Sequence, residues 1–256
     1  MSESAPHPEV SKQKKALAWL IHLYTALGLP INLASFIALL NKDGSLFFQL
    51  NILAIFIDAT DGFMARRVKV KEALPGFDGA KLDDLIDFLT FTFMPLVALP
   101  TLGLIPMEWS LWLSIPLMSS AYGFCQSRAK TEDSFVGFPS YWNIICLYLF
   151  SFEPPAWVTL SLLFWLSVMV FVPIHYVYPT RKRELFKTTM IGGALCGIGL
   201  LGLALDPKGP YSTYCATVAL CYTAYYTVLS IFHDRAIRKA SRLSSDEGRD
   251  AGGTSS

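Results

Sequence analysis

Charge is scarce in this chain of 256 residues: 16% are Asp, Glu, Lys or Arg, against 53% hydrophobic. A soluble domain of this length seldom combines so much apolar content with so little charge. Histidine is scarcer still. Its four copies, His7, His22, His175 and His233, are too dispersed for a histidine-based metal centre. The five cysteines (Cys125, Cys146, Cys196, Cys215, Cys221) sit in apolar segments without zinc-type spacing, which argues against both a zinc motif and a disulfide framework. A formal net charge of +1 is uninformative as a total, and no nucleic-acid partner is expected. No cleavable signal peptide is expected either, because the first apolar run is too long for one and lacks a small-residue cleavage site.

What the chain does have is long apolar runs, at 16–40, 45–64, 82–101, 107–127, 139–152, 155–178, 188–205 and 210–233. Crossing a bilayer as a helix takes about 20 residues. The expectation is an all-α, polytopic membrane bundle of about eight spans, with residues 1–15 and 235–256 as polar ends around a membrane domain at 16–234. The tail, rich in Ser, Gly and charge, reads as unstructured. Lys and Arg sort by side. Lys12, Lys14 and Lys15 precede the first run, and Arg66, Arg67, Lys69, Lys71 and Lys81 lie between the second and third. Arg128, Lys130, Arg181, Lys182, Arg183 and Lys187 follow even-numbered runs, whereas the opposite loops hold only Lys42 and Lys208. By the positive-inside rule both termini are cytoplasmic. Pro30 and Pro173 are expected to kink their spans, and Gly193 and Gly197, at GxxxG spacing, to mark close helix packing.

Two acidic stretches break this pattern: "DATDGFMARR" at 58–67 and "GAKLDDLIDF" at 79–88. On a helix, Asp58, Asp61, Gly62 and Ala65 share one face, and Gly79, Asp83 and Asp87 share another. Asp78 and Asp84 fall off those stripes and read as interfacial solvation. Asp58 lies about two turns inside the basic residues, where an ionised Asp costs on the order of 2–3 kcal/mol. Four such acids facing one another repel unless cations hold them, and clustered carboxylate oxygens suit Mg²⁺ or Mn²⁺. The small residues clear bulk from the faces that carry the acids, although packing alone also explains them. Arg66 follows, with a planar fork suited to phosphate oxygens. Together these residues describe a pyrophosphate-plus-metal site at the cytoplasmic end of two helices.

These residues resemble the signature of the CDP-alcohol phosphotransferase family, D-x-x-D-G-x-x-A-R, a spacer, then G-x-x-x-D-x-x-x-D. Asp58, Asp61, Gly62, Ala65, Arg66, Gly79, Asp83 and Asp87 match every fixed position. The spacer 67–78 is longer than the family's usual one. With the stretch "QSRAKTEDSFVGFPSYWN" and the number of spans, it is similar to the branch that takes choline as acceptor. The resemblance implies an integral enzyme of the bacterial inner membrane, facing the cytoplasm, that moves a phosphatidyl group from CDP-diacylglycerol to choline. It further implies two divalent ions, Mn²⁺ or Mg²⁺, on Asp58, Asp61, Asp83 and Asp87, with Asp87 also taking the acceptor's proton. Gly62, Ala65, Arg66 and Gly79 would contact the CDP part, and a homodimer is implied as well.

Choline's quaternary nitrogen has no hydrogen-bond donor, so aromatic faces are its natural receptor. Tyr122, Tyr141, Trp142 and Tyr176 are candidates, against the competing reading that Trp and Tyr gather at membrane interfaces for anchoring. Arg128 and Lys130 are candidates for a phosphate, or serve only the positive-inside pattern. Serine, inositol or glycerol phosphate as acceptor is the nearest rival. A divalent-cation transporter is the rival from another class, but transporters place such acids near the bilayer midplane, flanked by broken helices.

Overall fold

The computed structural model of the chain describes residues 11–126, 134–177 and 186–252. Among these residues eleven α-helices follow one another: α1 (Lys12–Ala26), α2 (Gly28–Leu40), α3 (Gly44–Val68), α4 (Val70–Ala73), α5 (Gly79–Asp87), α6 (Met94–Thr101), α7 (Ser114–Cys125), α8 (Trp142–Phe152), α9 (Ala156–Phe171), α10 (Phe186–Leu205) and α11 (Ser212–Gly252). A π-helical segment, Phe88–Phe93, joins α5 to α6, and a 3₁₀ segment, Met107–Leu113, leads into α7. Strands β1 (Ser134–Val136) and β2 (His175–Val177) pair antiparallel, Phe135 opposite Tyr176. This ribbon is the small departure from an all-helical fold.

Among the described residues, four stretches are long and apolar enough to cross a membrane: Lys12–Leu40, Gly44–Val68, Thr188–Leu205 and Ser212–Arg235. Helices α8 and α9 are apolar but shorter. The outward faces are as greasy as the interior, with Leu20, Leu33, Phe56, Trp165 and Ile198 all exposed. A helix that is apolar all round belongs in lipid, so the chain is an integral membrane protein.

The main core gathers Leu39, Phe47, Phe48, Leu96, Leu99, Trp142, Leu147 and Leu163 from α2, α3, α6, α8 and α9. A second, smaller cluster of Ala18, Ile21, Val70 and Ala73 seats α1 on α4. Both proline expectations meet a structural answer. The first span is interrupted at Leu27, just before Pro30, whose missing N–H cannot continue the ladder to Ala26. Pro173 ends its helix instead of kinking it. The residue before a proline is driven out of the helical region, and Val172 is extended at φ −81°, ψ 116°. The sixth apolar run therefore stops at Phe171 and continues as β2.

The glycine expectation is met at Gly193, where a Cβ would lie 3.4 Å from Tyr222 Oη of α11, but not at Gly197. Gly197 has open space beside it. The close approach to α11 is made by Gly192, Gly199 and Gly202. A Cβ there would lie 2.6 Å from the Tyr222 ring, 2.8 Å from the Cys215 carbonyl oxygen and 2.8 Å from Cys215 Sγ. The tail also differs from expectation. The α11 backbone runs helically to Gly252 through residues read as unstructured. Good helix formers such as Arg238, Lys239, Ala240, Arg242 and Leu243 occupy it, and no Gly or Pro interrupts before Gly248.

Candidate active site

Asp43 opens α3 by accepting a hydrogen bond from the Leu46 N–H at 2.9 Å, and Lys69, in a left-handed conformation, closes it. Asp78 opens α5 the same way, accepting from the Lys81 N–H at 3.2 Å. Asp78 is thus an N-cap, in keeping with its place off the acidic stripe. Between these caps the two helices bring their acids together. One carboxylate oxygen from each of Asp58, Asp83 and Asp87 lies within 4.8 Å of the others. Ligand oxygens on opposite sides of one small divalent ion stand about 4.2 Å apart. Adjacent ligands on the same ion stand only about 3 Å apart, so the three carboxylates must draw together to share one cation. The donor set, all hard carboxylate oxygen, fits Mg²⁺ or Mn²⁺.

Asp61 stands beside this trio. It is buried, and its Oδ2 accepts a hydrogen bond from Thr25 Oγ1 of α1 at 2.6 Å. All four acids line a cleft of about 660 Å³, a size suited to a small-molecule or cofactor portion. Arg66 lines it too. A Cβ on Gly62 would lie 3.2 Å from Arg66 Nη1, so the bare glycine is what lets the guanidinium fold back along its own helix. Asp84, read from sequence as interfacial, also faces the cleft. The opening is wide enough to take in the position next to Asp83.

Two of the small residues behave differently. Ala65 packs toward the α1–α4 cluster. Gly79 meets His22: a Cβ there would fall 2.3 Å from His22 Cε1. His22 is buried and packed at a tilt against Phe77, with ring centroids 4.6 Å apart, and cannot swing aside freely. The clearance at Gly79 therefore serves the docking of α1 on α5. Gly79→Ala is expected to destabilise the protein by about 1–3 kcal/mol through overpacking. His22→Ala in the same chain should recover most of that loss, read as melting temperature in detergent.

The far wall of the cleft is formed by Phe124 and Gln126 at the end of α7 and by Gly137–Tyr141. Gly137 sits at φ +88°, and a Cβ there would press 2.3 Å from the Val170 carbonyl oxygen. Its N–H donates to the Ile174 carbonyl at 3.0 Å, and the Phe138 N–H donates to the Met169 carbonyl at 3.1 Å. This seam holds the segment against the end of α9.

Of the aromatic candidates, Tyr141 lines the cleft, its ring 6.0 Å from that of Phe91. Trp142 does not. It is fully buried in the main core, and its Nε1–H donates to Ser120 Oγ at 2.6 Å, so adjacency in sequence placed the two rings on different sides of a helix start. Tyr122 is exposed and packs on Phe171, centroids 4.9 Å apart, away from the cleft lining. For Tyr176 the backbone position in β2 is described and the side chain is not. Arg128 and Lys130 lie outside the described residues.

Sequence reasoning missed a set of buried polar side chains below the acids: Thr25, Asn32, Asn51 and Thr90. Asn32 Nδ2 donates to Thr90 Oγ1 and to the Gly28 carbonyl, both at 2.8 Å, and Asn51 Nδ2 donates to the Thr90 carbonyl at 2.9 Å. The signal was present: Asn51 lies two helical turns before Asp58 on one face of an apolar helix, and Thr25 and Asn32 are polar residues within the first apolar run. Polar side chains in such positions face the protein interior.

An apolar helical bundle with a cleft walled by carboxylates and an arginine defines a membrane enzyme of the phosphotransfer class. No family model matches the chain. It is 35% identical over 219 residues to the phosphatidylcholine synthase of Borreliella burgdorferi, covering 84% of this chain and 94% of that one. The phosphatidylcholine synthase of Legionella pneumophila is 34% identical over 226 residues, 84% of this chain and 88% of the relative. That of Bradyrhizobium diazoefficiens is 36% identical over 231 residues, 88% and 84% respectively. The chain belongs to the phosphatidylcholine synthase family.

Proposed function

We propose that this protein transfers the phosphatidyl group of CDP-diacylglycerol to choline, yielding phosphatidylcholine and CMP. The observation that carries the chemistry is the convergence of Asp58, Asp83 and Asp87 from two helices at a cleft that also holds Arg66. Two divalent ions, Mn²⁺ or Mg²⁺, on Asp58, Asp61, Asp83 and Asp87 would neutralise charge on the transferring and leaving phosphates. The residues themselves bind and orient. Arg66, lying over Gly62, offers paired N–H donors to the pyrophosphate. Thr25 fixes the Asp61 carboxylate in one orientation, as outer partners of ligands do. The choline oxygen forms its bond to the phosphorus that carries diacylglycerol as the bond from that phosphorus to the CMP oxygen breaks. Asp87 accepts the hydroxyl proton.

The aromatic wall of Phe91, Phe124, Phe138 and Tyr141 supports a quaternary ammonium as the acceptor's charged end. The sorting of Lys and Arg supports about eight spans, with both termini and the cleft on the cytoplasmic face of a bacterial inner membrane. The family resemblance carries the homodimer in this reading. Purified protein is expected to make labelled phosphatidylcholine from free choline and CDP-diacylglycerol. Activity should stop on adding EDTA and return with excess Mn²⁺ or Mg²⁺. Product formed from serine, inositol or glycerol phosphate but not choline would overturn the acceptor assignment, and indifference to EDTA would overturn the metal.

A further inference from the structure

The rod that carries Asp83 and Asp87 is not a plain α-helix. Directly after Asp87 the ladder widens to π spacing over Phe88–Phe93, and the Met94 N–H donates to the Leu89 carbonyl. One added residue rotates everything before it by about 100° relative to everything after it. The insertion thus lets Met94, Leu96, Ala98 and Leu99 face the core while Asp83 and Asp87 face Asp58. π-Helical turns of this kind concentrate at functional sites.

Backbone accounting shows what holds the turn in place. With the Met94 N–H donating to Leu89, the Thr90 carbonyl loses its α partner. Its π partner would be the N–H of residue 95, which is Pro95 and has none. A buried carbonyl needs a donor, and Asn51 Nδ2 of α3 supplies it at 2.9 Å. Asn32 of α2 holds the same residue by its hydroxyl at 2.8 Å. Asn51 is buried on the helix that bears Asp58, so one side chain ties the two acid-bearing rods together, two turns from Asp58 and Asp83 and within one turn of Asp87.

We propose that Asn51 is a positioning residue for the metal centre: by satisfying the Thr90 carbonyl it locks the π turn and thereby the aim of Asp83 and Asp87 at Asp58. Pro95 is the other half of the device, because it removes the donor that would make Asn51 dispensable. This inference rests on the metal-dependent reading above.

The test is Mn²⁺ affinity of the purified, detergent-solubilised protein, measured by calorimetric titration alongside turnover and melting temperature. Wild type, Asn51→Leu, Asn51→Leu/Pro95→Ala and Thr90→Val are compared. Asn51→Leu is expected to weaken Mn²⁺ binding about 10–100-fold, the range typical of lost outer partners of metal ligands. The KM for choline should stay near wild type. Restoring an N–H at position 95 should bring the double variant back to within about threefold of wild-type affinity. Thr90→Val keeps the carbonyl and loses only the Asn32 contact, so a smaller loss, about threefold, is expected. Mn²⁺ affinity in folded Asn51→Leu equal to wild type overturns the proposal, as does a loss that Pro95→Ala fails to repair. Should Asn51→Leu fail to fold, a double variant that is also unfolded, or that binds Mn²⁺ poorly, overturns it equally. A wild type that binds no Mn²⁺ removes the metal reading itself, which separates the two failures.

Discussion

Asp87→Asn is expected to lower kcat by about 10²–10⁴-fold, the usual worth of a general base, while CDP-diacylglycerol still binds. The amide keeps the size of the carboxylate and can ligate weakly through its oxygen, but it cannot take the proton of the attacking hydroxyl. Position makes the loss specific. Asp87 is the last residue of α5, beside the π turn, and one of its oxygens lies within 4.8 Å of those of both Asp58 and Asp83. The residue therefore belongs both to the candidate cation site and to the lining of the cleft. Single-turnover transfer with saturating choline, paired with a CDP-diacylglycerol binding isotherm, separates the two roles. Near-normal turnover would remove Asp87 from proton transfer. Equal collapse of binding and turnover would make it a metal ligand alone.

Arg66→Lys is the second large effect. The charge survives and the fork does not. A charge-assisted hydrogen bond is worth about 1.5–3 kcal/mol, which corresponds to roughly 10–150-fold in kcat/KM for CDP-diacylglycerol. Lysine offers a point charge on a flexible stem in place of the paired donors that match phosphate geometry. Because Gly62 leaves the guanidinium room to lie along α3, a bulky residue at 62 should act in the same direction by pushing Arg66 off the helix. A change under twofold in kcat/KM with Arg66→Lys would take the arginine away from the pyrophosphate. A rise in the choline KM alone would move it to the acceptor.

The acids are legible in the sequence because carboxylates within apolar runs are costly, and helical spacing says which of them share a face. Asp58, Asp83 and Asp87 meet as that spacing predicts, and Asp61 lines the same cleft. The two uses of small residues are harder to tell apart. A glycine looks the same in sequence whether it clears space for an arginine, as Gly62 does, or for a neighbouring histidine, as Gly79 does. Only the partner helix decides. Trp142 shows the matching difficulty with aromatics: it follows Tyr141 by one residue, and the start of α8 turns one ring to the cleft and the other into the core. The π turn is hidden for a different reason. Its cause is shared between Pro95 and Asn51, which are distant in sequence and come together only when α3 packs against the acid-bearing rod.

The pairing of α10 with α11 has a consequence for assembly. Among the described residues, those that wall the cleft run from Asp58 to Val170, so the last two helices add none. Gly192, Gly199 and Gly202 zip them to each other, and the pair packs Leu203, Ala204, Ala216 and Ala219 into the main core, with α10 against α3 and α8. The described residues that wall the cleft are therefore all on the emerging polypeptide once α9 has been made, before the closing hairpin. Sequence change in that hairpin is then constrained by fit at the three bare positions and at its own core residues, none of which walls the cleft.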